Sequence, residues 1–399
     1  MPQALQRSRP QSRPPPPPAG FALWQLGFRP FYLLASAFAS LSIGVWALQF
    51  AGWLPWAYLK GPMWHAHEML FGFALAVIVG FLFTAGRNWS GQATPTGWRL
   101  ASLALLWTAG RLLVLSPFGW AAAIVNTAFP LACAAALAVP LVKGRNRRNY
   151  FFVGLLLLLS AAELAFHLSA LGLVGIPGWM GIQFALDVLA FIIAVMAGRV
   201  TPMFTNNGVP GAGATRHALL EKAALGLLLA LLAADALGLP PVAVAVISLF
   251  AAVAHAARWW LWKPWKTMRT PLVLVLHLGY AWLPIHLVLR AAGFFGWVAP
   301  SLGVHALTVG AAGGLIIGMM VRTARGHTGR PLKADRFDIA CFALVFLAAL
   351  TRVVLPIAAP SLLLYAVLCS AAFWSAGFGV YALRFWQVLT RPRLDGQAG

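Results

Sequence analysis

The sequence is poor in charge, and above all in negative charge. Only 8 of its 399 residues are Asp or Glu, against 29 Lys and Arg, and charged residues make up 9% of the chain. A soluble domain carries about 25% charged residues. Hydrophobic residues make up 61% of the chain, and the mean hydropathy is +0.81. This composition excludes a disordered chain and nearly every class of soluble enzyme, and it predicts a polytopic membrane protein.

Cysteine is also scarce. The three cysteines, Cys133, Cys341 and Cys369, stand far apart in apolar stretches, and no C-x-x-C pair occurs. Disulfide frameworks and thiolate metal sites both need cysteines at close and regular spacings. The sequence therefore indicates neither.

The N-terminus lacks the apolar core and the small-residue cleavage site of a secretory signal. It carries Arg7, Arg9 and Arg13, followed by five prolines at 14–18. A segment rich in Arg and Pro predicts a disordered cytoplasmic tail over residues 1–27, from which nothing is removed.

Long apolar runs fill the rest of the chain. A helix needs about 20 apolar residues to cross the hydrocarbon core of a bilayer, and its backbone must be satisfied internally. Residues 28–388 therefore predict a single all-α domain of twelve transmembrane helices, and residues 389–399 predict a short cytoplasmic tail. The predicted spans are 28–51, 64–84, 97–115, 120–141, 150–172, 179–200, 217–237, 240–260, 269–291, 300–322, 336–357 and 361–388.

The positive charges predict the orientation, because Lys and Arg concentrate in the cytoplasmic loops of membrane proteins. With the N-terminus in the cytoplasm, all but four of the 29 Lys and Arg fall on the inner side. An even number of helices then places the C-terminus inside as well. Topology thus explains the net charge of +21, and the predicted partner is the lipid bilayer rather than nucleic acid. The four exceptions are Lys60, Arg111, Arg290 and Arg352.

Histidines gather at one depth of the predicted bundle. At 1.5 Å per residue, five of them fall within about 10 Å of the outer surface, and a sixth, His277, lies nearer the midplane. Several imidazoles at one level are typical of a haem or metal site, although a single intramembrane His is more often a packing residue. We expect His305 and His67 to be the first cofactor or metal ligands. The five are His65, His67, His167, His286 and His305.

Three carboxylates share the outer half with these histidines and are candidates for catalytic or proton-handling roles, because ionisable groups at bilayer depth are costly. Glu163 and His167 are four residues apart, so they share a helix face and predict a carboxylate–imidazole pair. Glu68 follows His67 directly, and Asp187 is either a proton-path residue or a partner of a histidine.

A weak internal repeat relates predicted helices 2 and 10. Aligning His67 with His305 brings Arg87 onto Arg325 and Gly91 onto Gly329. Three four-helix units would produce this pattern, and membrane proteins do build sites at repeat interfaces. Gly310, with glycines at 314 and 318, forms a face that predicts close helix packing.

At several blocks the sequence resembles the NnrS family of bacterial membrane proteins. The resemblance implies a multi-pass protein of the bacterial inner membrane that contains haem b and copper and acts in the nitric oxide response against nitrosative stress. If its chemistry is nitric oxide reduction, an external electron donor is required, either a quinol or a redox protein. The blocks are GFRPF at 27–31, WHAHEM at 64–69, GRVTPMFTNN at 198–207, HALTVG at 305–310 and GHTGRP at 326–331.

The twelve helices are also reminiscent of the catalytic subunit of the haem–copper oxidases, with clear departures. That family has copper-ligating histidines on helices 6 and 7. In these predicted spans the one histidine is His217, the first residue of helix 7, which is predicted to lie in the loop. In helix 10 of that family a His-x-His pair occurs, whereas Leu307 stands two residues after His305 here. Any copper would therefore use histidines of helices 2, 5 and 9.

The residues leave the class of function open. A nitric oxide reductase and a non-catalytic haem or copper sensor need the same ligands. A proton-coupled secondary transporter would use Glu163, Asp187 and the histidines as a proton relay.

Overall fold

The described part of the chain forms twelve long helices, as the sequence predicts. The computed structural model describes residues 20–54 and 58–397, and this part of the chain contains no strand. Most of the predicted N-terminal tail, residues 1–19, lies outside the described residues. The helices are α1 Phe28–Phe50, α2 Pro62–Ser90, α3 Gly97–Val114, α4 Gly119–Lys143, α5 Phe151–Ala170, α6 Gly178–Gly208, α7 Ala218–Ala236, α8 Pro241–Leu261, α9 Pro271–Phe294, α10 Pro300–Gly326, α11 Arg336–Ala358 and α12 Leu363–Thr390.

Within the described residues, 10 of these helices are long and apolar enough to cross a membrane. The other two, α3 and α7, stand where transmembrane helices are predicted but are more polar. Arg99 and Arg111 lie in α3, and Glu221, Lys222 and Asp235 lie in α7. The protein is thus an all-α, multi-pass membrane protein.

Two helices extend well past their predicted inner ends. The span predicted to end at 84 continues to Ser90, and the one predicted to end at 200 continues to Gly208. Both predictions stopped where the apolar run gives way to polar residues. The helical backbone continues beyond the last apolar residues. In α2 it ends at Gly91, whose φ of 64° lies in the left-handed region that favours glycine.

Helices α1 and α12 pack side by side and close the bundle. The Ala22 amide donates to the Thr390 carbonyl over 2.7 Å. Arg29, fully buried, donates from one Nη atom to the carbonyls of Leu389 at 3.0 Å and Arg391 at 2.8 Å. The start of α1 and the end of α12 therefore lie on the same face, which we call the inner face because it carries the Lys and Arg excess.

Helices α2 and α10 are interrupted in the same way. In α2 an α-helical turn, Pro62–His67, is followed by a π-helical segment, Glu68–Ala74. In α10 the turn Pro300–His305 is followed by the π-helical segment Ala306–Gly313. The two turns correspond in the alignment that pairs His67 with His305. π-Helical segments are rare and concentrate at functional sites. The shared interruption therefore favours the internal repeat and a functional role for His67 and His305.

The glycines of α10 serve close packing. A Cβ atom on Gly314 would lie 2.8 Å from the Phe346 ring and 3.0 Å from the backbone of Gly279, and one on Gly318 would lie 2.7 Å from Val275. Helix α10 therefore approaches α9 and α11 too closely for larger residues.

Candidate functional site

Two histidines and one carboxylate meet in the outer half of the bundle, between α2 and α5. The Nε2 atoms of His67 and His167 are 3.1 Å apart, and His67 Nε2 is 3.5 Å from an oxygen of Glu163. One ligand atom from each of these residues lies within 4.8 Å of the others, and all three side chains are buried. We call this group the His67 cluster.

The far side of each imidazole in the His67 cluster is held by a hydrogen bond. His67 Nδ1 is 2.7 Å from a carboxylate oxygen of Glu68, which also accepts a hydrogen bond of 2.8 Å from Arg111. His167 Nδ1 is 3.1 Å from the hydroxyl of Tyr58. Because Glu68 accepts the Nδ1 proton of His67, the Nε2 atom of that ring keeps its lone pair.

The His67 cluster has the composition of a transition-metal site. Ligands that each lie about 2.0–2.2 Å from one ion stand roughly 3 Å from each other, which matches the distances between these ring nitrogens and the carboxylate. The second oxygen of Glu163 is buried without a hydrogen-bond partner. Two imidazoles with one carboxylate suit copper or iron and leave positions open, so the described side chains fit a bound ion.

A second site lies between α2, α10 and α11, in a cavity that we call the His305 cavity. It is lined by His65, His305 and Arg352 among mostly apolar side chains. The rings of His65 and His305 have centroids 6.1 Å apart and planes inclined by 10°, so the two imidazoles could hold one haem iron between them. Trp46 stacks on His65 with a centroid distance of 4.8 Å.

The polar atoms of the His305 cavity fit a haem. Nδ1 of His305 donates to the carbonyl of Ser301 at 2.6 Å, which leaves its Nε2 lone pair available to a metal. Nδ1 of His65 and one Nη atom of Arg352 are buried without hydrogen-bond partners. A guanidinium in an apolar cavity is a suitable partner for a carboxylate such as a haem propionate.

Asp187 belongs to a third group, on helices α6, α7 and α9. Arg290 donates to Asp187 over 2.8 Å and also to Asp235. His286 lies in the same region, and its Nδ1 donates to the carbonyl of Gly303 over 2.7 Å. Arg290, Asp235 and His286 border a second and larger opening, the Arg290 cavity, of about 840 Å³.

The remaining candidate, His277, is brought to neither the His67 cluster nor the His305 cavity. Its Nε2 atom pairs with the hydroxyl of Thr205 over 2.8 Å, and its Nδ1 atom is buried without a partner. The structure thus distributes the six candidate histidines over four places.

Comparison with models of protein families identifies the family of this chain. The model of the family described as "NnrS protein" matches residues 22–393, nearly the whole chain. The chain belongs to the NnrS family. The resemblance predicted from five short blocks is confirmed, and membership makes the chain a membrane protein related to the nitric oxide response. No curated protein matches the chain.

In this NnrS-family chain the polar groups follow the predicted repeat. The His67 cluster draws on α2–α5, the group around Arg290 draws on α6, α7 and α9, and the His305 cavity draws on α10–α12 with α1 and α2. Each group contains one arginine within a spanning helix: Arg111, Arg290 or Arg352. Three four-helix units, as the weak internal repeat predicts, would produce this distribution.

These three arginines are not among the predicted site residues. By sequence, Arg111, Arg290 and Arg352 count as outer-side charges, although all three fall within the predicted spans. An arginine inside a span is itself a signal of a functional or paired group. Tyr58 gave no comparable signal, because it lies in the loop before α2 and meets His167 only through the fold.

Proposed function

We propose that this NnrS-family protein resides in the bacterial inner membrane and binds nitric oxide in the outer half of its bundle, at a metal ion beside a haem. The observation that supports this best is the position of His65 and His67. They lie two residues apart in one turn of α2, yet His67 joins the His67 cluster while His65 faces His305. A single helical turn thus links two cofactor sites.

His65 and His305 would hold haem b, and Arg352 would pair with one of its propionates. Haem iron supplies one-electron exchange at a potential set by its axial ligands and surroundings. The rest of the cavity wall is apolar, and side chains such as Leu70 and Phe73 exclude water from the bound ring.

His67, His167 and Glu163 would hold copper, with an open position for nitric oxide. Glu68 and Tyr58 fix the orientation of the two imidazoles, as hydrogen-bond partners of metal-ligating histidines commonly do. The Arg111 guanidinium keeps the charge of Glu68 balanced at this depth. Reduction of two nitric oxide molecules to nitrous oxide and water needs two electrons and two protons, and Glu68 is a candidate to carry a proton to the ion.

The test is an optical spectrum of the detergent-purified protein, oxidised and dithionite-reduced, with iron and copper analysis on the same sample. We expect a haem spectrum in the unaltered protein. His305→Ala should lose haem and keep copper, whereas His167→Ala should lose copper and keep haem. His277→Ala removes a buried histidine outside both sites and should change neither.

Two results would overturn the proposal. Full haem content in His305→Ala, or full copper content in His167→Ala, would mean that the ligands are assigned wrongly. A colourless protein without iron or copper, from a host that supplies both, would favour the proton-coupled transporter, with Glu163, Asp187 and the histidines as its proton relay.

A further inference from the structure

We infer that the Arg290 cavity binds a quinol, which donates electrons to the haem of the His305 cavity. This inference rests on the proposed function, since reduction of nitric oxide requires an electron donor. The cavity is distinct from the His67 cluster and from the His305 cavity, and none of its polar side chains is needed to hold either cofactor.

The entrance to the Arg290 cavity is apolar. The side chains of Ile176, Trp179, Leu239 and Phe294 lie at the outer ends of α6, α7 and α9 and along its edge, and they are between 42% and 62% exposed. At that depth, exposed apolar and tryptophan side chains meet the interface between lipid tails and headgroups. A ligand that reaches the cavity from this side is lipid-soluble.

The inner wall of the cavity is polar and suits a ring with two hydroxyl groups. Because His286 Nδ1 donates to Gly303, its Nε2 atom is left as an acceptor for a quinol hydroxyl. Asp235 lines the opposite part of the cavity, paired with Arg290. Asp187, behind them, has one buried carboxylate oxygen without a hydrogen-bond partner.

The redox step balances with these groups. One quinol loses two electrons and two protons and leaves as a quinone. The electrons reduce ferric haem to ferrous haem one at a time. His286 Nε2 and the Asp235 carboxylate are positioned to accept the two protons and to release them at the outer face.

The two cavities are neighbours. Val304 lines both of them, and it stands between Gly303, which accepts the hydrogen bond from His286, and His305. The electron donor and the haem would therefore be separated by the thickness of one residue of α10.

The outer surface does not favour a soluble donor protein. Between the outer ends of the helices, the connecting segments contain a single charged residue, Lys60. Electrostatic complementarity speeds the encounter of soluble redox partners, and these loops offer almost none. A donor dissolved in the membrane needs no charged docking surface.

The first experiment measures reduction of the haem in the purified, cofactor-loaded protein by decylubiquinol, without oxygen. We expect His286→Gln and Ala161→Trp to slow this reduction at least tenfold while dithionite still reduces the haem fully. Ala161 is an exposed small residue on the cavity wall, so the larger side chain fills the cavity rather than the core. His255→Gln is the matched control, because His255 is also fully buried and bonded through Nδ1, to Tyr280 at 2.6 Å.

The second experiment is photolabelling with an azido-ubiquinone, read by mass spectrometry of the labelled peptides. Label within 176–184 or 234–245, reduced by decylubiquinone and by Ala161→Trp, supports the quinol site, and it does so independently of the haem; a protein without haem would overturn the electron transfer but not the binding. Label elsewhere overturns it. Haem loss in His286→Gln, or haem reduction by a soluble cytochrome but not by the quinol, would also overturn it.

Discussion

At the scale of single residues, Glu68 is the most informative side chain in the outer half. It accepts hydrogen bonds from both His67 and Arg111, so it is fixed between the imidazole that we propose as a copper ligand and a positive charge. A carboxylate in this position makes the imidazole a stronger ligand and fixes its tautomer. Glu68 is thus a positioning residue of the His67 cluster.

Glu68→Gln should weaken copper binding by about 10- to 100-fold, the usual effect of losing such a partner. Copper retained during titration with a chelator measures this directly, and the haem spectrum should stay unchanged. Glu221→Gln removes the same charge from the inner half, where Glu221 pairs with Arg258, and should leave copper retention intact. Equal copper affinity in Glu68→Gln and the unaltered protein would contradict the assigned role.

His327, at the inner face just after α10, makes stability depend on pH. Burial lowers the pKa of its imidazole from the ordinary value of 6.5, and the charges of Arg393, Arg29 and Arg87 lower it further. Below pH 6.5 the unfolded chain therefore takes up a proton that the folded protein resists, so stability is lost as the pH falls. Above that pH both states are neutral at this residue, and the effect disappears.

We expect the melting temperature in detergent to fall between pH 7 and pH 5, and to fall less in His327→Gln. The comparison with the variant is needed because other buried histidines also titrate. The inner-side position of His327 further predicts an unchanged haem spectrum in His327→Gln. An identical pH dependence in both proteins would show that this residue is not responsible.

At the scale of helices, the contact between α9 and α10 depends on residues without side chains. Gly314 packs on Gly279 and Phe346 with no room for a Cβ atom. Helix packing of this kind in membranes relies on small residues that let backbones approach. It also fixes the position of α10, and with it His305.

Gly314→Val should lower stability by about 1–3 kcal/mol, the usual cost of forcing extra atoms into a packed contact. Gly226→Val in α7 is the matched control, since a Cβ atom there would meet no atom within 4 Å. Thermal unfolding of both variants, followed by circular dichroism, provides the measurement. Comparable melting temperatures would mean that α9 can move aside.

The sequence predicted the helices well and the interruptions within them not at all. Runs of apolar residues locate a span because the transfer of a helix into lipid depends mainly on the composition of that helix, which its own residues give directly. The π-helical segments after His67 and His305 follow from packing between helices. The residues of the two segments carry no sequence pattern that predicts a π-helix. The grouping of the histidines into separate sites also depends on how the helices pack against each other, so it could not be predicted from the sequence.

At the scale of the whole molecule, the packing of distant helices determines which polar side chains meet. The sequence gives the depth of a residue along its helix, and this depth places five histidines near the outer surface. It does not give the position of each helix within the bundle. His286 therefore shares its depth with His67 and His305 but borders a different cavity, and Arg352 of α11 joins His65 of α2 from far away in the chain.

The contact of α1 with α12 has a consequence for biosynthesis. Arg29 is synthesised early but binds the carbonyls of Leu389 and Arg391, which lie 360 and 362 residues further along the chain. The wall of the His305 cavity likewise combines residues of α1 and α2 with residues of α11 and α12. A haem at the proposed site would therefore be inserted only after α12 has been synthesised, and a chain that stops before α12 would form a cavity that lacks one side.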